Sequence, residues 1–187
     1  MPRTALAQYA QISIAFDVHD VLDLGAGPNG VPKLIVPTHR LASPYVKDYD
    51  AIDGGPTRWA ERFDLSAWGF LVATIDGKHV GGTAVVIDTT GDLGMAGGRD
   101  DVAVMWDLRV STGTRRQGVG ASLFRAAEAW ATTKGCRRLE VETQNNNVPA
   151  CRFYERQGCV LKAGRRGAYP ELPDEIQLLW SKDLSPS

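Results

Sequence analysis

No run of about 18 apolar residues interrupts the chain, and Met1-Pro2-Arg3 does not open a secretory leader; these absences argue against a membrane-spanning helix and make the cytoplasm the expected compartment. Cysteine is scarce: Cys136, Cys151 and Cys159 are odd in number and have neither CxxC nor zinc-finger spacing. That excludes a disulfide framework and predicts free thiols packed as small apolar residues, with no metal site. Charge of one sign is also missing. With 21 basic and 22 acidic residues the net charge is −1, too little for a global attraction to nucleic acid or anionic lipid. No internal repeat or low-complexity tract appears. What remains is 187 residues with 43% hydrophobic content, enough to bury the core of a single domain spanning 1–187, as a monomer or homodimer.

Residues 1–65 are rich in Pro, Gly and Asp and only weakly periodic. Within them Gln11 to Val18 reads as a strand, and Arg58 to Phe63, after Pro56, as a short helix. The pattern then sharpens. Ala67 to Ile75 and His79 to Asp88 predict a hairpin around Asp76-Gly77, and Thr89 to Asp101 a loop with four glycines. Val102 to Val110 is a nearly continuous apolar strand, which implies cover on both faces. Val119, Leu123, Ala126, Ala127 and Trp130 recur at helical spacing, and that helix is expected to end near Lys134 at Gly135. Arg138 to Thr143 follows as a strand with Leu139 and Val141 inward and Glu140 and Glu142 on the opposite face. Pro149 opens a helix ending near Gly158. Strands at Cys159 to Ala163 and Ile176 to Leu184 flank an irregular acidic loop. The sum is an α/β domain with a mixed, mainly antiparallel sheet.

Between the apolar strand and the long helix stands Arg115-Arg116-Gln117-Gly118-Val119-Gly120. Gly118 and Gly120 let backbone approach a ligand closely, the first-turn N–H groups lack helical partners, and the helix dipole adds partial positive charge. An anion such as a pyrophosphate belongs there. Further on, Asn147-Val148-Pro149-Ala150-Cys151-Arg152-Phe153-Tyr154 runs to Gly158. Together the two segments read as an acyl-coenzyme A site.

Arg115-x-x-Gly118-x-Gly120 and Asn147-x-x-Ala150-x-x-Phe153-Tyr154-x-x-x-Gly158 resemble, in order and separation, the two cofactor signatures of the GNAT superfamily of acyl-CoA N-acyltransferases. Glu142-Thr143-Gln144-Asn145-Asn146-Asn147 running into Ala150-Cys151-Arg152-Phe153-Tyr154, with Tyr169 to Trp180, is similar more particularly to streptothricin acetyltransferases. The resemblance covers roughly residues 68 to 184. It implies a sheet whose central strands splay apart, flanked by helices, and acetyl-CoA as the acyl donor. It places the pyrophosphate on Arg115, Arg116, Gln117, Gly118, Val119, Gly120 and Ala121. It pairs the pantetheine with the backbone of Leu108, Arg109 and Val110, and sets Asn147, Ala150, Phe153 and Tyr154 beside the cofactor.

The chemistry sets its own requirements. A primary amine of pKa near 10.4 is almost wholly protonated at pH 7, and freeing its lone pair costs roughly 4 to 5 kcal/mol. A base is needed, a donor for the carbonyl oxygen, and a proton for the departing sulfur. Tyr154 is the candidate acid, a phenol that is protonated at working pH; as a residue alone it is also an ordinary buried helix aromatic. Asp107 interrupts the apolar strand and is a candidate base, or else the partner of Arg109, Arg138 or Arg152 in an ion pair. Many relatives by resemblance carry an acid where this chain has Trp106, so Glu142 is the second candidate base. Asn147 can reach the pantetheine amides, while Asn145 and Asn146 could cap the helix.

The loop Ala168 to Glu175 carries three carboxylates, and Tyr45 to Asp50 would join its rim if the first segment folds over the site. Such a rim suits a cation. The expected enzyme is therefore an acetyl-CoA-dependent N-acetyltransferase of a small cationic amine such as a streptothricin-like antibiotic, working by direct transfer in a ternary complex. Acetylation of a protein N-terminus or lysine is the alternative within the class. Outside it stand a silent acyl-CoA-binding module and an S-adenosylmethionine-dependent methyltransferase, the latter resting on the G-x-G-x-x-G at Gly25 to Gly30. The prolines at Pro32 and Pro37 interrupt the helix that this motif requires.

Overall fold

The computed structural model describes residues 3–27, 32–35, 40–91 and 93–184. In chain order its elements are α1 (Arg3–Ala10), β1 (Phe16–Val18), β2 (Asp23–Ala26), β3 (Pro32–Ile35), β4 (Tyr45–Lys47), α2 (Asp50–Asp53), α3 (Pro56–Arg62), β5 (Gly69–Ile75), β6 (Lys78–Ile87) and β7 (Val102–Val110). There follow α4 (Val119–Thr133), β8 (Arg138–Gln144), α5 (Val148–Arg156), β9 (Val160–Arg166) and β10 (Ile176–Asp183). This is a mixed α/β fold whose sheet is mainly antiparallel. The contacts divide into two compact units, one holding the described residues up to Ala15 with Asp48–Leu139 and Leu184, the other the described residues of Phe16–Lys47 with Glu140–Asp183. Among the described residues no helix is long and apolar enough to cross a membrane.

In the first unit β5, β6 and β7 are hydrogen-bonded in that order. The β5–β6 hairpin turns at Asp76 and Gly77, both at positive φ (49° and 75°), the backbone that a tight two-residue connection between twisted strands requires. On β7 the residues from Val102 to Met105 are buried on both faces, as the apolar run predicted. There the ladder slips: Ala84 stands opposite Asp107 and Val85 opposite Met105, leaving Trp106 without an opposite residue, a β-bulge. Beyond it Asp107 and Arg109 are buried on one face while Leu108 and Val110 are half-buried on the other.

Two consecutive glycines on β6 admit different neighbours. A Cβ on Gly81 would come within 3.0 Å of the Arg109 carbonyl and of Leu123 on α4, and one on Gly82 within 2.4 Å of the Tyr9 ring. The first therefore lets α4 lie close, burying Leu123, Phe124, Ala127 and Ala131, and the second lets Tyr9 lie close from α1. Tyr9 joins Trp59, Phe70, Trp68, Phe63 and Trp106 in a run of ring contacts with centroids 5.3 to 6.4 Å apart.

In the second unit β8, β10 and β9 are neighbours in that order, β9 and β10 antiparallel. Asn145, at the end of β8, spends its side chain on two main-chain partners, donating to the Leu22 carbonyl (2.9 Å) and accepting from Ile176 N (2.8 Å). It is a structural clamp, and the helix cap falls instead to Asn147, whose Oδ1 accepts from Ala150 N at 3.2 Å. The Trp180 indole donates to Thr143 Oγ1 at 2.8 Å.

Several sequence expectations shift. The strand expected from Gln11 to Val18 shrinks to Phe16–Val18 because α1, turning through Gln11 and Ile12, takes the residues before it. The hairpin strand begins at Gly69 rather than Ala67, and the strand expected from Cys159 to Ala163 runs Val160–Arg166. Asp23–Ala26 pairs antiparallel with Pro32–Ile35, so a strand follows the G-x-G-x-x-G segment where a methyltransferase motif needs a helix. Residues 28–31 lie outside the described residues.

Candidate active site

In the first unit the basic turn has the form expected of an anion cradle. Arg116 and Gly118 both adopt positive φ (64° and 86°), and Gly118 caps α4 without any side-chain bond. The first helical bond runs from Ser122 N to the Gly118 carbonyl, so the N–H groups of Val119, Gly120 and Ala121 precede the helix's own ladder. Arg116, Gln117 and Gly118 are exposed. Arg115 is different: its Nε donates to the Val110 carbonyl and its terminal nitrogen to the Ala15 carbonyl, each at 3.0 Å. That guanidinium staples the turn to β7. The exposed donors, the glycine and the dipole fit a diphosphate.

On β7 the phase of the ladder is set by Ser111 N, which donates to the Val80 carbonyl at 2.8 Å. Arg109 and Asp107 therefore turn their main-chain groups to β6, and Leu108 and Val110 turn theirs away from it. Asp107 is ion-paired with Arg109 at 2.7 Å, and its other oxygen accepts from Arg109 Nε (2.9 Å) and from the Tyr9 hydroxyl. Arg109 completes its five donors on Asp50 (2.8 and 3.2 Å) and on the Ile12 carbonyl (3.0 Å). Burial alone would lower the Arg109 pKa, but the bonds and charge of Asp107, with Asp50, outweigh it and hold it above the ordinary value. Burial, and then the Asp107 carboxylate, push the Tyr9 phenol well above its usual range. Of the two sequence readings of Asp107, the ion pair to Arg109 is the arrangement present.

In the second unit Glu142 is half-buried and held by neutral donors: the Tyr169 hydroxyl on Oε1 at 2.6 Å, Gln177 Nε2 on Oε2 at 2.6 Å, and Gln144 Nε2 at 3.4 Å. Gln144 also donates to the Tyr169 oxygen at 3.0 Å. Burial, then the charge of Glu142, raise the Tyr169 pKa well above its ordinary value. The acidic loop divides: Glu171 and Asp174 are exposed, whereas Glu175 is buried against Lys47 (2.5 Å). Tyr154 is buried on α5 with Val148 and Cys151, its ring edge-on to Phe153 at 5.1 Å. Ala150 is half-buried on the same helix. The partners Tyr9 and Gln177 escaped the sequence reading, and nothing local marks them; Lys47 and Asp50 lie in the segment expected at the acceptor rim but are spent on Glu175 and Arg109.

A strand leading through a positive-φ basic turn into an uncapped helix entry is the arrangement that a coenzyme A-dependent acyltransferase of α/β type requires. The chain belongs to the acetyltransferase (GNAT) family, whose pattern matches residues 38–159. It is 29% identical over 168 residues to the streptothricin acetyltransferase of Escherichia coli, covering 88% of this chain and 83% of that protein. With streptothricin acetyltransferase A of Bacillus subtilis strain 168 it shares 32% identity over 80 residues, 42% of this chain and 46% of that one. In fold it is similar to a Bacillus anthracis str. Ames protein assigned as a streptothricin acetyltransferase and solved with acetyl coenzyme A (TM-score 0.77, 24% identity, 98% and 96% of the two chains). A nourseothricin acetyltransferase structure is also similar (TM-score 0.74, 23% identity, 99% and 95%). The chain is thus an acetyl-CoA-dependent N-acetyltransferase, moving an acetyl group to an amine.

Proposed function

We propose that the acceptor is a primary amine of a small cationic molecule of the streptothricin kind, acetylated within a ternary complex. The observation that carries this reading is Glu142, a half-buried carboxylate that meets only neutral donors among the described residues. Its negative charge is not offset by a cation among the described residues, so a cationic amine is its natural complement. The E. coli relative, similar over most of its length, supplies the acceptor class.

Bound acetyl-CoA brings an acetyl group as a thioester, open to attack by a neutral amine. The exposed Arg116 and Gln117, and the N–H groups of Val119 to Ala121, hold the diphosphate; Gly118 gives them their backbone. The outward main chain of Leu108 and Val110 aligns the pantetheine, with Asn147, Ala150 and Phe153 as further contacts. Glu142 takes the proton of the acceptor ammonium. Asp107 is the weaker candidate, because a proton on its carboxylate would cost the ion pair to Arg109. Tyr154 supplies from its Oη the proton that the departing sulfur needs, and the second proton shed by the acceptor nitrogen as the amide forms replaces it.

Coenzyme A release should be followed for streptothricin, polyamines, a lysine-containing dipeptide and a neutral N-terminal peptide. The cationic amines are expected to show the higher kcat/KM, with a preference that weakens as salt screens charge over about 8 to 10 Å. Faster turnover of the neutral peptide would reject the small-cation reading in favour of protein acetylation.

A further inference from the structure

Tyr169 follows β9, in the loop that leads to β10, and three contacts fix that loop. Leu172 N donates to the Tyr169 carbonyl and Glu175 N to the Leu172 carbonyl, each at 3.0 Å, and Glu175 is then anchored by Lys47. The phenol is held in place before any ligand arrives. Its hydroxyl donates to Glu142 Oε1 at 2.6 Å and accepts from Gln144 Nε2 at 3.0 Å. A phenol oxygen offers one proton and two acceptor positions, so one acceptor position is left beyond Gln144. Glu142 Oε1 already takes the Tyr169 and Gln144 donors, and Oε2 takes Gln177 at 2.6 Å, so one acceptor position is left on the carboxylate as a direct route that competes with the phenol. Close by, Gln177 turns its amide nitrogen to Glu142 and leaves Oε1 buried without a hydrogen-bond partner, an acceptor still to be filled.

We propose that Tyr169 is the proton relay between the acceptor ammonium and Glu142. This rests on Glu142 being the base. The acceptor N–H bond breaks as its proton passes to Tyr169 Oη; in the same event the phenol's original proton passes to Glu142 Oε1. The amine is left neutral, Tyr169 is left as it began, and Glu142, now a carboxylic acid, later loses its proton to solvent. Concerted motion is required, because burial beside Glu142 disfavours a free phenolate. Gln177 Oε1 can accept a second N–H of the ammonium and so orient it.

The relay is separable from simple positioning by the basicity of the acceptor. Tyr169→Phe and Glu142→Gln should be assayed with streptothricin and with a primary amine of low pKa that is already neutral at pH 7, alongside direct measurement of acetyl-CoA affinity. With streptothricin, Tyr169→Phe should lower kcat by roughly 100-fold, within the usual range for lost acid–base catalysis. Its acetyl-CoA Kd should stay near wild type, which also reports an intact fold, and the defect should largely vanish with the weakly basic amine. If Tyr169→Phe turns over streptothricin at the wild-type rate while Glu142→Gln is slow, the relay is overturned and Glu142 stands as the direct base. If both variants are fast, the choice of base falls as well. An equal loss of kcat on both amines would make Tyr169 a packing residue and overturn the relay.

Discussion

Tyr154 differs from Tyr169 in the proton it is asked to give. It sits on the buried side of α5 beside Cys151 and Val148, edge-on to Phe153. Tyr154→Phe keeps the ring and its packing and removes only the hydroxyl. We expect kcat to fall about 10-fold to 1000-fold while acetyl-CoA binding changes little, a pattern that steady-state kinetics with a titration of acetyl-CoA would reveal. Unchanged turnover would return Tyr154 to the core. Arg109 illustrates another residue-scale point: a strand residue read as a backbone contact also carries a side chain whose five donors are all used inside the fold. Nothing in the alternation of β7 announces Asp50 or Ile12 as its partners.

Elements carry the turn that is to hold the diphosphate. Gly118 stands at φ +86°, and a Cβ built there would meet nothing within 4 Å. Gly118→Val is therefore opposed by backbone strain of about 1 to 3 kcal/mol and not by a clash, and coenzyme A affinity should drop by roughly 10-fold to 100-fold in calorimetric titration. Wild-type affinity in a folded variant would remove the turn from the site. The long elements were legible because their patterns repeat: β7 occupies the residues its apolar run marked, α4 stops before Gly135, and β8 alternates Leu139 and Val141 against Glu140 and Glu142 as expected. The short ones were not. β2, β3 and β4 have three or four residues each, too few for a period to emerge, and among its described side chains α1 buries just Leu6 and Tyr9. The site was legible to the same degree. The glycine turn and the Asn147 segment are local in sequence, whereas Glu142 meets Tyr169 and Gln177 across 27 and 35 positions, contacts that only the folded chain specifies.

For the whole molecule, buried protons set a limit on alkaline stability. Burial pushes the Cys151 thiol up to about 11, with the Thr143 bond only partly opposing it, and raises the Tyr9 phenol well above its ordinary value. The unfolded chain releases these protons near the usual values of about 8.5 and 10, while the folded chain keeps them. The unfolded state then binds fewer protons, so stability falls as pH rises. It should be fully present below about pH 8, decline from about pH 9 toward 11 on account of Cys151, and decline further above 10 on account of Tyr9. Urea midpoints measured from pH 7 to 11 should show this slope, and Cys151→Ala should flatten its lower part; a midpoint independent of pH would contradict it.

The hydrogen bond from Tyr9 to Asp107 joins positions 98 residues apart, and it has a consequence for the order in which the chain is completed. A ribosome adding about 5 to 20 residues per second makes α1 some 5 to 20 seconds before β7 exists. Eight residues are too few for a helix to persist unaided in water, and the rings and strand that receive Tyr9 have yet to be synthesised. Until then Tyr9 is available to chaperones and to neighbouring nascent chains. The helix is thus made well before it can settle, and the buried charges of β7 are sealed only when Tyr9 returns to cover them.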